Sequence, residues 1–167
     1  MMKQLKSLLI AAVLFFGTSQ LAQAQAKIAH VDISEIMGKM PAMLDAQKQL
    51  EKLSTTYDAD YKTMVDEFQA RVKKYDTEQT TVSDKINEER AKEVQDMQKR
   101  IVDFRDNAQK ELQKKEQDLT KPLYDKIRAS IQKVGKAKGY QYVVNSDQLL
   151  LADGPNITVD VKKDLGF

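Results

Sequence analysis

The chain has 167 residues, 31% of them charged, with 27 Lys and Arg against 25 Asp and Glu and one histidine. A mean hydropathy of −0.56 is not that of an integral membrane protein. With no cysteine, no tryptophan and only 7% aromatics, the chain lacks a disulfide framework, a thiolate nucleophile, a thiolate metal site and much of what lines a buried enzyme pocket.

The first element in chain order is a leader. Lys3 and Lys6 precede the apolar run Leu8 to Phe16, and Ala22-Gln23-Ala24 follows. A basic end, a short apolar core and an A-x-A site predict a secretory signal peptide over residues 1–24. The core has about ten residues, and a bilayer span needs roughly 20. Cleavage fits before Gln25, with Ala24-Gln25-Ala26 as a second site. Without the leader the formal charge falls from +2 to 0, because the leader holds two lysines and no acid. A nucleic-acid binder would carry a basic excess, so no nucleic acid is expected as a partner.

Residues 25–41 read as a first strand and a short helix. Lys27-Ile28-Ala29-His30-Val31 alternates polar and apolar, the pattern of a half-buried strand. Asp32 with Glu35 forms a D-x-x-E capping box, and Gly38 and Pro41 then end or redirect the helix.

Residues 42–138 change texture. Leu50, Leu53, Tyr57, Tyr61, Met64, Phe68, Val72 and Tyr75 recur every three or four positions, one apolar stripe on a long helix. The stripe lapses over 76–84, where Thr77, Thr80, Thr81 and Ser83 cluster. Hydroxyl side chains favour caps and turns, so this is the expected hairpin tip, with Thr81 and Asp84 as a second capping box. The stripe resumes at Val82 and Ile86 and runs on to Val134, with a kink expected near Pro122. Gly139 is the expected C′ residue.

Residues 139–167 return to strand-like runs, Tyr140 to Val144 and Leu149 to Ala152, joined by the turn Asn145-Ser146-Asp147. Thr158 is the expected N-cap of a final helix through Leu165. The fold class is therefore mainly α with a small β part: a long antiparallel helical hairpin, roughly 60–75 Å at 1.5 Å per residue, on a short-stranded β body. The strands add about 15 residues of sheet, too few for a self-sufficient core in a monomer. Oligomerisation through sheet edges is the physical remedy.

Catalytic and metal chemistry find no foothold. No glycine loop matches a phosphate-binding pattern, and His30 has no second histidine or cysteine to share a metal; it reads as an ordinary strand histidine. Asp66-Glu67 and Glu88-Glu89 sit on a solvated helix face without a cleft to separate their environments. Asn156-Ile157-Thr158 matches a glycosylation sequon, too short a pattern to carry weight. No enzyme and no cofactor are expected.

The order of these features resembles the Skp (OmpH-like) family of periplasmic chaperones. The likeness rests on the leader, the strand ending in Val31-Asp32, Pro41, the charged hairpin with Leu119-Thr120-Lys121-Pro122-Leu123, the run Lys138-Gly139-Tyr140-Gln141-Tyr142-Val143-Val144, and the closing Leu151-Ala152-Asp153 and Ile157-Thr158 with Val161. It covers essentially the whole mature chain. It implies a homotrimer whose strands join in a central β body while three arms enclose a cavity. There, without ATP, unfolded outer-membrane β-barrel proteins are held in the periplasm. It also leaves room for a peripheral membrane contact. The balanced charge departs from the basic excess common in that family, and Asn156 stands where the pattern commonly has Asp.

Many weak apolar contacts suit such a surface, and methionine repacks easily. The candidates for contact with an unfolded partner are Tyr61, Met64, Val65, Phe68, Met97, Val102 and Phe104. Phe68, Met97 and Phe104 fit the hairpin seam better, whereas Val65 and Val102, beside the stripe, are expected to be exposed. Ile28, Val31, Val143 and Leu151 are candidates for contact between subunits or for the chain's own core, with contact between subunits favoured because the sheet is too small alone. The alternative reading is an exported coiled-coil spacer or adaptor of the cell envelope, its stripe consumed by helix pairing.

Overall fold

The computed structural model describes residues 26–167; the expected leader lies outside the described residues. Strand β1 (Ile28–Val31) leads into helix α1 (Ile33–Lys39), and helix α2 follows over Pro41–Glu78. A 3₁₀ turn at Gln79–Thr81 reverses the chain into helix α3 (Asp84–Ala137). Strand β2 (Tyr142–Asn145), a second 3₁₀ turn (Ser146–Gln148) and helix α4 (Thr158–Leu165) complete the chain. Helices α2 and α3 have 38 and 54 residues, about 57 and 81 Å of helix at 1.5 Å per residue.

Local chemistry sets the element ends. The Asp32 carboxylate accepts from the Glu35 N–H at 2.6 Å and caps α1. Pro41 opens α2, at a helix start where its missing N–H costs nothing. Gly139 takes φ +74°, open to glycine without strain, as the chain leaves α3. Helix α3 runs through Pro122 without a break.

The body is small. Strands β1 and β2 pair in parallel, Ile28 beside Tyr142 and Val31 beside Asn145. The other edge of β1 is met by residues 155–157: the His30 N–H donates to the Pro155 carbonyl at 2.9 Å, and the Ile157 N–H donates to the His30 carbonyl at 3.0 Å. The sheet packs on the end of α3 and on α1 and α4. Its core holds Ala29, Val31, Ile36, Met40, Ile127, Val134, Ile157 and Val161.

Four expectations are corrected. Leu149–Ala152 is not a strand, and among the described residues β2 has no antiparallel neighbour; its partner is β1, from the far end of the chain. Ser83 caps α3, its hydroxyl facing the Ile86 N–H, while Thr81 lies in the tip turn and donates to the Glu78 carbonyl. Thr158 is the first residue of α4, not its cap: the Asn156 side chain accepts from the Thr158 N–H at 2.8 Å, and the Thr158 hydroxyl accepts from the Asp32 N–H at 2.8 Å. Val31, a candidate for contact between subunits, is 1% exposed within the single chain. Its surface is used by the chain's own core, because α3 and α4 close over β1.

Candidate functional site

The hairpin seam orders the side chains that could meet a partner. Met97 is buried. Phe104 packs edge-on against Tyr57, ring centres 6.0 Å apart at 82°, a favourable aromatic geometry. Met64 and Phe68 are half-buried in the same seam. Val65 is also half-buried, not exposed as its place beside the stripe predicts. Tyr61 and Val102 present 37% and 43% of their surface.

Val72 and Ile86, outside the predicted set, are as exposed as Tyr61. Val72 is legible in the sequence as a stripe residue. Its exposure depends on what α3 places opposite it, which periodicity does not reveal.

Near the tip the two helices are clasped by charge. The Tyr75 hydroxyl donates to the Glu93 carboxylate, and the Arg71 guanidinium lies 3.6 Å from the same carboxylate. Those partners hold the Arg71 guanidinium above its ordinary range, the Tyr75 hydrogen bond first and the charge of Glu93 second. Arg90 stacks on the Tyr75 ring at 4.5 Å and pairs with Glu78 at 2.6 Å. Its other terminal nitrogen, Nη1, is buried without a partner among the described residues. The Asn87 amide donates to the Gln79 carbonyl at 2.9 Å and ties down the turn.

At the body, Glu35 receives Lys162 at 2.7 Å and Lys39 at 2.8 Å. The Lys162 hydrogen bond, then that of Lys39, pulls the Glu35 carboxyl from its ordinary 4.5 to about 2. Asp164 is likewise held low, by Lys133 first and by the Ser130 hydroxyl second. These pairs fasten α4 to α1 and α3.

The remaining candidates for contact between subunits divide. Val143 packs against the core. Ile28 and its register partner Tyr142 are exposed by 52% and 60%; Leu150 stands wholly in solvent and Leu151 is 74% exposed. His30 is buried in the strand. Among the described residues no group of three or more His, Cys, Asp or Glu could hold a metal ion. No helix among them is long and apolar enough to cross a membrane.

Comparison with known proteins adds to this geometry. Residues 27–165 match the family described as Outer membrane protein (OmpH-like). The chain is 25% identical over 145 residues to the chaperone protein Skp of Photorhabdus laumondii, covering 86% of this chain and 88% of that one. It matches Skp of Photorhabdus luminescens at the same identity and coverage. The crystal structure of a protein from Caulobacter crescentus described as OmpH-like is similar in fold, with a TM-score of 0.75 at 18% identity, over 84% of this chain and 83% of that one.

Proposed function

This chain belongs to the OmpH-like family, the family of the Skp outer membrane chaperones, and from that premise we propose that it is a periplasmic holdase. It binds unfolded outer-membrane β-barrel proteins between helical arms and keeps them from aggregating, without ATP. The working unit is a homotrimer, and a leader over residues 1–24 carries the chain across the inner membrane.

The observation that carries the reading is a hairpin whose seam leaves apolar side chains in solvent. Tyr61, Val72 and Ile86 of the stripe, and Val102 beside it, remain between 37% and 43% exposed along the arm. A helix pair built only as a spacer would bury that stripe. Individually these contacts are weak, about 25 cal/mol per Å² of apolar surface removed from water, but a flexible chain sums many of them while remaining mobile. The trimer is supported by the exposed Ile28, Tyr142, Leu150 and Leu151 of the body, since a sheet of two strands is small for a free-standing one.

Sedimentation of the mature protein, alone and mixed with a barrel protein diluted from urea, tests this. The expected result is a trimer that keeps the barrel protein soluble in a discrete complex, and a monomer when Leu150→Asp and Leu151→Asp are combined. An oligomer that lets the barrel protein precipitate would replace the holdase with a passive envelope spacer.

A further inference from the structure

All the sulfur in this chain is thioether sulfur. Beyond residue 24 there are five methionines and no cysteine. Three of the five, Met37, Met40 and Met43, recur at every third position where α1 gives way to α2. Met40 is the single extended residue between the two helices, with φ −70° and ψ 117°. Its N–H donates to the Ile36 carbonyl, and its own carbonyl accepts from the Met43 N–H, both at 2.9 Å. The elbow is thereby fixed, with Met37 in the last turn before it and Met43 in the first turn after it.

The three side chains go to different places. Met40 is 5% exposed and belongs to the core of the body. Met37 and Met43 are half-buried, and both line one open cavity of about 380 Å³ where α1, α2 and α3 meet. Ala46, Leu50 and Tyr124 give this cavity apolar walls, and Glu116 is the one charged residue among its lining. A β-carbon on Gly38 would meet nothing within 4 Å, so the space beside Met37 is clear.

We propose that Met37 and Met43 form a binding site for a soft monovalent metal ion, of the class of Cu(I) and Ag(I). Thioether ligands select such ions, whereas zinc is suited by imidazole and thiolate, and magnesium or calcium by oxygen. Neither imidazole nor thiolate is at hand, since the chain has no cysteine and its one histidine, His30, is buried in β1 and does not line the cavity. Apolar walls penalise any charge that is not compensated. A single positive charge is matched by the single carboxylate of Glu116, and a divalent ion is not. As packing alone either methionine could be leucine, which fills nearly the same volume; the sulfur lone pairs are what leucine lacks. The unbranched side chains turn readily to meet an ion, while the elbow holds their stems in place. This site stands apart from the holdase reading, and a loss of either leaves the other.

Mature, untagged protein carrying ¹³C at its methionine methyls is titrated with silver nitrate in chloride-free buffer, Ag(I) being a redox-stable probe of the right softness. The expected result is saturation at one ion per chain, with the largest shifts at the Met37 and Met43 methyls and excess Zn(II) displacing nothing. Met37→Leu and Met43→Leu should each weaken binding by at least the roughly tenfold that losing an outer-shell partner costs. Met40→Leu should leave it within about twofold, since a core thioether is no ligand. Helicity should be unchanged in all three. Methyls that all move together without saturation, or no movement at Met37 and Met43, overturn the site and leave the pair as packing. Binding that survives the combined Met37→Leu and Met43→Leu places the ion elsewhere and overturns it too. Displacement by Zn(II) overturns the soft-ion assignment, and loss with Met40→Leu overturns the choice of ligands.

Discussion

A β-carbon placed on Gly135 would sit 3.0 Å from the Cγ2 methyl of Val143. Helix α3 and strand β2 approach so closely there that only a hydrogen fits without displacement. The glycine lies in a helix where alanine would ordinarily gain about 0.5–1 kcal/mol. Gly135→Ala should instead lower stability by about 1 kcal/mol through overpacking. In a Val143→Ala background the obstructing methyl is gone, and the same substitution should raise stability by about 0.5–1 kcal/mol. Thermal denaturation of the four proteins of this double-mutant cycle checks the change of sign.

The Glu35 carboxyl, held near 2 against an ordinary 4.5 by Lys162 and Lys39, makes stability depend on acid. A depressed carboxyl contributes fully above its unfolded value and loses that contribution as the pH falls through its folded one. Denaturant midpoints should therefore fall between pH 4.5 and pH 2. Glu35→Gln should be less stable at pH 7 and show a shallower decline across that window.

Thr158 serves a distant partner. Its hydroxyl accepts from the Asp32 N–H at 2.8 Å, across from one chain end to the other, and the residue is buried. Thr158→Val keeps the shape but orphans that N–H, and should cost about 1–3 kcal/mol. Thr158→Ser should recover most of it. Asp32→Ala, which removes the α1 cap, should cost about 1 kcal/mol. Chemical denaturation of the three variants distinguishes the two roles.

The clasp of Arg90 on Tyr75 and Glu78 fixes the arm's far end without touching the body. Arg90→Ala should speed amide exchange over residues 70–95 by about tenfold, the loss of a cation–π contact and a part-buried ion pair together. Exchange in β1 and α4 should not change. Arg90→Lys should rescue little, because ammonium neither stacks nor forks as guanidinium does.

Local pattern was readable where the answer was local. The 3.6-residue stripe marked the hairpin, the hydroxyl cluster its tip, and Asp32 the α1 cap, because each depends on neighbours a few positions away. The failures came where a partner lies far along the chain. Leu149–Ala152 reads as a strand by composition, yet the edge of β1 that it might have met is taken by residues 155–157. Thr158 has the chemistry of a cap, but its hydroxyl is engaged by Asp32. Val31 reads as an edge residue until α3 and α4 are seen to close over it. The candidate surface fared similarly. The stripe was evident, but which of its members stay partly exposed, Tyr61, Val72 and Ile86 among them, depends on what the other helix places opposite them.

The parallel pairing of β1 with β2 also bears on how the protein is made. Residues 32–141 lie between the two strands, so a chain that emerges N-terminus first, from the ribosome or across a membrane, presents β1 long before its neighbour arrives. Over that interval Ala29 and Val31 have no sheet to join. The helices can zip from the tip downward through contacts near in sequence, and the last turns to close deliver β2 to β1. Loop-closure entropy is then met in small increments by the zipper instead of all at once. Lengthening or shortening the arm by whole heptads would leave that order of events, and the body it completes, intact.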